Sequence, residues 1–193
     1  LSGELIRDHM LKASGKLSPK MFGPGVYPPQ PLTVLAHAFG NKGWNASKGE
    51  DRYRRSVYTF VKRTAPFAGH MTFDGTSGEN CLARRDRSNT PLQALTLLND
   101  EMFLELARAV GKEVHLQKKD PVFTLFRRFL TRPPSPEETK ALQAYLDQQI
   151  ERLKKGELKS AEIAADKKAT PELAGKVLLA RSIMNLDDAI TTP

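Results

Sequence analysis

Between Thr72 and Asp100 the chain reads TFDGTSGENCLARRDRSNTPLQALTLLND, which sets Asp74 and Glu79 ahead of Cys81 and then the arginines Arg84, Arg85 and Arg87 before a helix start. Planar guanidinium forks hold carboxylate, phosphate or sulfate through paired hydrogen bonds, with more geometric selection than lysine gives. Arg54, Arg55 and Arg63 would join them, with Asn89 beside the next helix, if the chain after Arg63 folds back on segment 50–62. That convergence would make an anion-binding surface. The same donors can be used internally, because Asp51, Asp74, Glu79 and Asp86 lie close in sequence, and so many acids favour a structural network.

A catalytic reading uses the same stretch. Arginines beside Cys81 can lower a thiol pKa, but a cysteine nucleophile needs a base within about 3 Å and a group to stabilise the oxyanion. His70 is the nearest histidine in sequence. Asp74 and Glu79 could act as a general acid and base, yet the glycine-containing loop between them fixes no distance. His70, Asp74 and Glu79 could be imagined around a metal, but no HExxH, CxxC or CxxCH spacing is present, and no metal site is assigned. Cys81 packed against Phe73 is the simpler expectation.

Four capping residues, each followed directly by proline, mark the elements that must carry these groups: Thr90-Pro91, Asp120-Pro121, Ser135-Pro136 and Thr170-Pro171. The cap oxygen accepts an orphan amide, and proline at the first helical position loses no bond it would have made. Gln93 and Glu138 complete capping boxes, and Glu172 adds an acidic first turn. Helices are predicted at about 91–113, 121–131, 136–154 and 171–184, each with an apolar face, for example Leu92, Leu95, Leu98 and Met102 in the first. Asn99-Asp100 competes for backbone bonds inside that helix, so it either bends there or ties down a neighbouring segment. Lys154–Ala169 reads as a solvated link with partial helicity.

Upstream, Ser2 caps a helix over Gly3–Ala13 that stops at Gly15, and Glu50–Lys62 is predicted as a helix with Tyr53, Val57, Phe60 and Val61 on one side. Residues 14–49 and 63–90 are turn-rich, with a short apolar run at Leu32–Phe39 and with Phe67, Met71 and Phe73 as apolar anchors for the second arm. The fold class is mainly α. An orthogonal or up-down helical bundle at 91–193 is expected to carry long loop-rich arms packed on it, all within one helical domain over 1–193 that is expected to be part of a larger protein.

The net charge of +8 is concentrated in the turn-rich half: residues 1–49 hold six basic and two acidic side chains, and residues 50–90 hold eight and five. This balance favours an anionic partner without selecting one. Trp44 and Tyr53 near cations invite a nucleic-acid reading, but aromatics do not recur along a basic strand and no DNA-binding motif accompanies them, so nucleic acid is disfavoured. His9, His37 and His115 are dispersed. A single cysteine excludes an internal disulfide, and no apolar run reaches the roughly eighteen residues of a membrane span.

The blocks SGKLSPKMFGP at 14–24, GEDRYRRSVYTFVKRTAP at 49–66, MTFDGTSGENCLARRDRSNTPLQALTLLND at 71–100, FLTRPPSPEE at 129–138 and RSIMNLDDAI at 181–190 resemble, in this order, the domain-of-unknown-function family numbered 1553, a carboxy-terminal domain of large planctomycete proteins. The resemblance implies part of an exported bacterial protein, periplasmic, secreted or at the cell surface. It implies a neighbouring uncharacterised domain and a cytochrome-c-like domain, so that haem would sit outside this chain, which itself carries no cofactor. It makes a sulfated carbohydrate one candidate ligand and assigns no catalytic residue. The family usually has Phe-Asp-Ala-Pro where this chain has Gly75 and Thr76 after Asp74, so a looser loop and a less well placed Asp74 are expected; Ser88 stands where threonine is usual.

The leading expectation is a noncatalytic structural and interaction module, its arginine-rich face meeting a neighbouring domain or an anionic ligand in a polysaccharide-related assembly. The alternative is a hydrolase or redox domain using Asp74, Glu79, Cys81 and an arginine clamp.

Overall fold

In the computed structural model of the protein, which describes residues 1–31, 44–63, 65–78, 81–117 and 119–191, the first helix, α1 (Gly3–Ala13), begins at Ser2, whose Oγ accepts the Leu5 amide at 3.4 Å. It ends before Gly15, which takes φ +71°, as expected from the sequence. Ile6, Met10 and Leu11 form its buried face, and Arg7 is buried among them. The run at Leu32–Phe39, with His37, lies outside the described residues.

The predicted helix over Glu50–Lys62 does not form. Two short 3-10 turns, Gly49–Tyr53 and Ser56–Tyr58, are separated by Arg54 and Arg55, with Arg54 in extended conformation at φ −66° and ψ 158°. Carbonyls and amides that a helix would pair internally are paired with another segment. The Tyr53 carbonyl accepts from Ser18 N–H at 3.0 Å, the Tyr58 carbonyl accepts from Val26 N–H at 2.8 Å, and Phe60 N–H donates to the Val26 carbonyl at 2.8 Å. Single parallel bridges join Ser18 to Arg54 and Val26 to Thr59. The expected buried stripe is consequently outside: Val57 is 72% and Val61 68% exposed. What goes inside in its place is the Arg54 side chain.

An aromatic cluster closes this region. Trp44 Nε1 donates to the Pro28 carbonyl at 2.6 Å, its ring stacks on Phe67 with centroids 6.0 Å apart, and Tyr27 meets both Trp44 and Phe60 at about 5 Å. The short helix α2 (Ala68–Thr72) follows; Phe67 and Phe73 at its ends are buried, whereas Met71 stays substantially exposed. Next comes α3 (Pro91–Asn99), with the full capping box at Thr90 and Gln93.

The predicted helix 91–113 is two helices. Asp100 leaves helical geometry at ψ 139°, its Oδ1 accepts the Met102 amide at 2.9 Å, and α4 (Glu101–Gln117) starts there. Asn99 Nδ2 turns back to the Leu95 carbonyl at 3.0 Å. These are the backbone-competing bonds that Asn and Asp make in preference to continuing a helix.

The chain divides into two compact units, Leu1–Met102 and Phe103–Pro193, with the boundary inside α4. In the second unit α5 (Pro121–Leu130), α6 (Pro136–Lys154), the short α7 (Ser160–Ala164) and α8 (Pro171–Met184) pack as a helical bundle. Asp120, Ser135 and Thr170 all cap as predicted, and Glu138 returns the second bond of its box to the Ser135 amide at 2.7 Å. α8 is buried on almost every side, and α5, α6 and α7 all touch it. Gly175 and Gly111 permit that closeness: a Cβ at Gly175 would stand 2.6 Å from Ile150 Cγ1, and one at Gly111 2.8 Å from Val177 Cγ2. The 154–169 link holds α7 and packs Leu158 and Ile163 against Leu153, Ala174 and Leu178, more ordered than a solvated linker. No helix among the described residues is long and apolar enough to cross a membrane.

Candidate functional site

At the end of α2 the chain reverses through Asp74, which takes φ +58°, a conformation that Asp tolerates better than most residues. Phe73 and Gly75 both donate to the His70 carbonyl, at 3.1 and 2.8 Å. The turn aims the Asp74 carboxylate at Ser88, whose amide donates to it at 2.7 Å and whose hydroxyl lies 2.8 and 2.9 Å from its two oxygens. Gln93 Nε2 reinforces the joint, donating to the Thr72 carbonyl at 3.0 Å and to Ser88 Oγ at 3.1 Å. The expected looseness around Gly75 is therefore not found. A Cβ there would sit 2.6 Å from the His70 carbonyl oxygen, so this form of the turn requires glycine, and Asp74 is firmly placed.

A second fixing point lies further up the loop. Arg85 Nη1 donates to both Glu4 oxygens at 2.8 Å, joining residues 81 positions apart in sequence. Burial alone would raise the Glu4 pKa. Its own backbone amide, the Arg85 guanidinium and the field of His70 outweigh it and hold the carboxyl below its ordinary value. One turn along α1, Asp8 accepts the Ser56 amide at 2.7 Å and lies 3.7 Å from Arg55 Nε. Glu4 and Asp8 thus bring Arg85 and Arg55 to the same edge of α1. Arg63, Arg84 and Arg87 are exposed and make no hydrogen bond or ion pair with another described residue. Asn89 is exposed beside the Thr90 cap.

Arg54 is not on this edge. Its guanidinium is buried, with Nη1 donating to the Pro24 carbonyl at 3.1 Å, Nη2 to the Phe22 carbonyl at 2.5 Å, and its plane stacked over Tyr58 at 3.8 Å. The charge is spent inside the fold. Arg7, which the sequence reading did not single out, is a second buried guanidinium. It donates to the carbonyls of Arg54 at 2.7 Å and Arg52 at 3.1 Å, and to Ser56 Oγ at 3.3 Å. Desolvation pushes its pKa down to about 10 despite Asp8 and Asp100. A signal was available: Arg7 lies at helical spacing with Met10 and Leu11 on an otherwise apolar stripe.

The groups proposed for catalysis are differently disposed. Cys81 is exposed rather than packed on Phe73 and has no hydrogen-bond partner among the described residues. His70 stands edge-on to Phe67 at 5.0 Å with Nε2 buried and without a hydrogen-bond partner among the described residues, and burial holds its pKa below 6.5 against the opposing pull of Glu4. Asp74 is engaged by Ser88, and Glu79 lies outside the described residues. Among the described residues no three His, Cys, Asp or Glu side chains group as metal ligands. Trp44, considered for base stacking, is buried in the aromatic cluster.

Helices, with no strand among the described residues, and a pinned, arginine-bearing surface loop define an α-helical protein whose charged side chains organise loops. The chain belongs to the family described as PSD1: Protein of unknown function (DUF1553), whose model matches residues 1–146. No curated protein and no solved structure matches the chain.

Proposed function

We propose that this protein is a noncatalytic interaction module whose loop 81–89 presents arginines to a neighbouring domain of the same polypeptide or to an anionic ligand. One observation carries the reading. Every residue of the loop is exposed, yet it is fixed at Ser88 by Asp74 and at Arg85 by Glu4, so Arg84 and Arg87 are held outward without an internal acid among the described residues. A loop ordered before it binds loses less entropy on binding, which favours recognition. Sulfated carbohydrate fits the donor chemistry, since guanidinium groups pair with sulfate oxygens as they do with carboxylate. The family resemblance adds the expectation of an exported, multidomain setting in which haem belongs to another domain.

The test uses heparin as a sulfated probe. Reversing both charges in Arg84→Glu/Arg87→Glu is expected to weaken heparin binding about tenfold, while Cys81→Ser leaves it unchanged. Affinity that is unaltered by the double reversal overturns the reading.

A further inference from the structure

Two of the sequence blocks set out above meet each other rather than the arginine loop: SGKLSPKMFGP runs beside GEDRYRRSVYTFVKRTAP through the Ser18–Arg54 and Val26–Thr59 bridges. Their meeting point is built around Phe22. Its φ is +61°, a region that a bulky L-residue rarely enters and that persists only where the surroundings enforce it. Both of its backbone groups are taken: the amide donates to Tyr58 Oη at 2.9 Å, and the carbonyl accepts Arg54 Nη2 at 2.5 Å. Arg54 is buried beneath and stacked on the same Tyr58. A buried guanidinium and a tyrosine hydroxyl therefore hold one strained residue in place. The ring so held is not core, since Phe22 is 78% exposed.

The surroundings say what such a ring could meet. Met21 at 60%, Val57 at 72% and Val61 at 68% exposure are contributed by the same two segments. The same two segments are rich in cations outside the core, Lys12, Lys16 and Lys20 in 12–25 and Arg52, Arg55, Lys62 and Arg63 in 52–63, with no acid in either stretch, although Asp8 pairs with Arg55 and Glu101 with Arg52 from elsewhere in the chain. Glu50 and Asp51 stand at the near end, where they hold Ser18 and Lys20. We infer that Phe22 is a preorganised aromatic anchor for an acidic polypeptide segment, whose apolar side chains cover Met21, Phe22, Val57 and Val61 and whose carboxylates meet the flanking cations. Rigid aromatics at the centre of a patch carry a large share of binding energy in protein interfaces. A second copy of this chain is a poor occupant, because two molecules of net charge +8 repel. A bilayer would bury the ring as well, but a fluid surface gains nothing from fixing its backbone in a strained conformation.

The inference concerns a different surface from loop 81–89 and can fail separately. The probe is a fluorescein-labelled peptide of alternating glutamate and leucine, titrated with the protein and followed by anisotropy. Binding is expected, with Phe22→Ser weakening it at least about tenfold, Phe22→Trp retaining it and Arg84→Glu/Arg87→Glu leaving it in place. Because the ring is exposed, circular dichroism should find Phe22→Ser folded. Val57→Asp supplies a second variant that leaves the backbone clamp untouched and should also weaken binding. No peptide binding, or equal binding by wild type, Phe22→Ser and Val57→Asp, overturns the inference. So does Phe22-dependent sedimentation with phosphatidylglycerol vesicles in the absence of peptide binding, which would assign the ring to a lipid surface.

Discussion

Two arginines that resemble surface cations in the sequence are structural centres of the first unit. Arg7 gathers the carbonyls of Arg52 and Arg54, and Arg54 gathers those of Phe22 and Pro24. A five-donor planar fork can serve several carbonyls in a place where a helix or sheet would otherwise have to satisfy them. Replacing Arg54 by methionine keeps the volume and strands two acceptors, so Arg54→Met should lower stability by about 3 kcal/mol, measured as a reduced urea midpoint. Arg54→Lys should recover little, because a point charge cannot reproduce both bonds and the stack on Tyr58. His70 supplies a pH dependence. Its folded pKa lies below the ordinary 6.5 because burial disfavours the cation. The unfolded chain thus binds the proton more readily, and the neutral ring's contribution is complete above pH 6.5 and is lost as pH falls through the folded pKa. Glu4 and Asp8 moderate the loss, while Arg7 and Arg85 deepen it. His70→Gln should flatten urea stability measured at steps below pH 6.5; an identical slope in wild type and variant would remove His70 as its source.

At the scale of elements, the helices that begin at Pro91, Pro121, Pro136 and Pro171 are the more legible. Thr90, Asp120, Ser135 and Thr170 announce helices because cap and proline act within a few residues of chain, and all four caps accept the expected amides. Segment 50–62 departs from its local pattern for the opposite reason. Its apolar spacing fits a helix, but its backbone bonds go to Ser18 and Val26, partners more than thirty residues distant that no local pattern reveals. The candidate site was legible in part. Loop 81–89 and Asp74 lie where the residue types pointed, but the pairing of Arg85 with Glu4 and the use of Asp74 as a clasp for Ser88 depend on tertiary return of the chain. Gly111 was also silent in the sequence, although it sets how closely α4 approaches α8. Its absent side chain leaves room for Val177. Gly111→Ala gains helix propensity but drives a methyl to 2.8 Å from Val177 Cγ2 and 3.0 Å from Val177 Cα, so a net loss of about 1–2 kcal/mol is expected in thermal or urea unfolding.

Across the whole molecule, the family match over residues 1–146 spans the first unit and ends within α6, while α8, the most enclosed helix, lies beyond it. The two units also differ in how order is achieved. Buried guanidinium groups and single bridges hold the first, whereas close-packed helices hold the second. Heparin binding through Arg84 and Arg87 would draw on the excess positive charge of the turn-rich half, and exposed ion pairs and patches weaken as salt screens them. The left-handed turn at Phe22 has a consequence for how such a chain can change. Glycine would occupy that φ without strain, relieving roughly 1 kcal/mol. Laboratory evolution under heat alone should therefore drift toward glycine at position 22, and a lineage that keeps the phenylalanine reveals selection acting on something besides endurance.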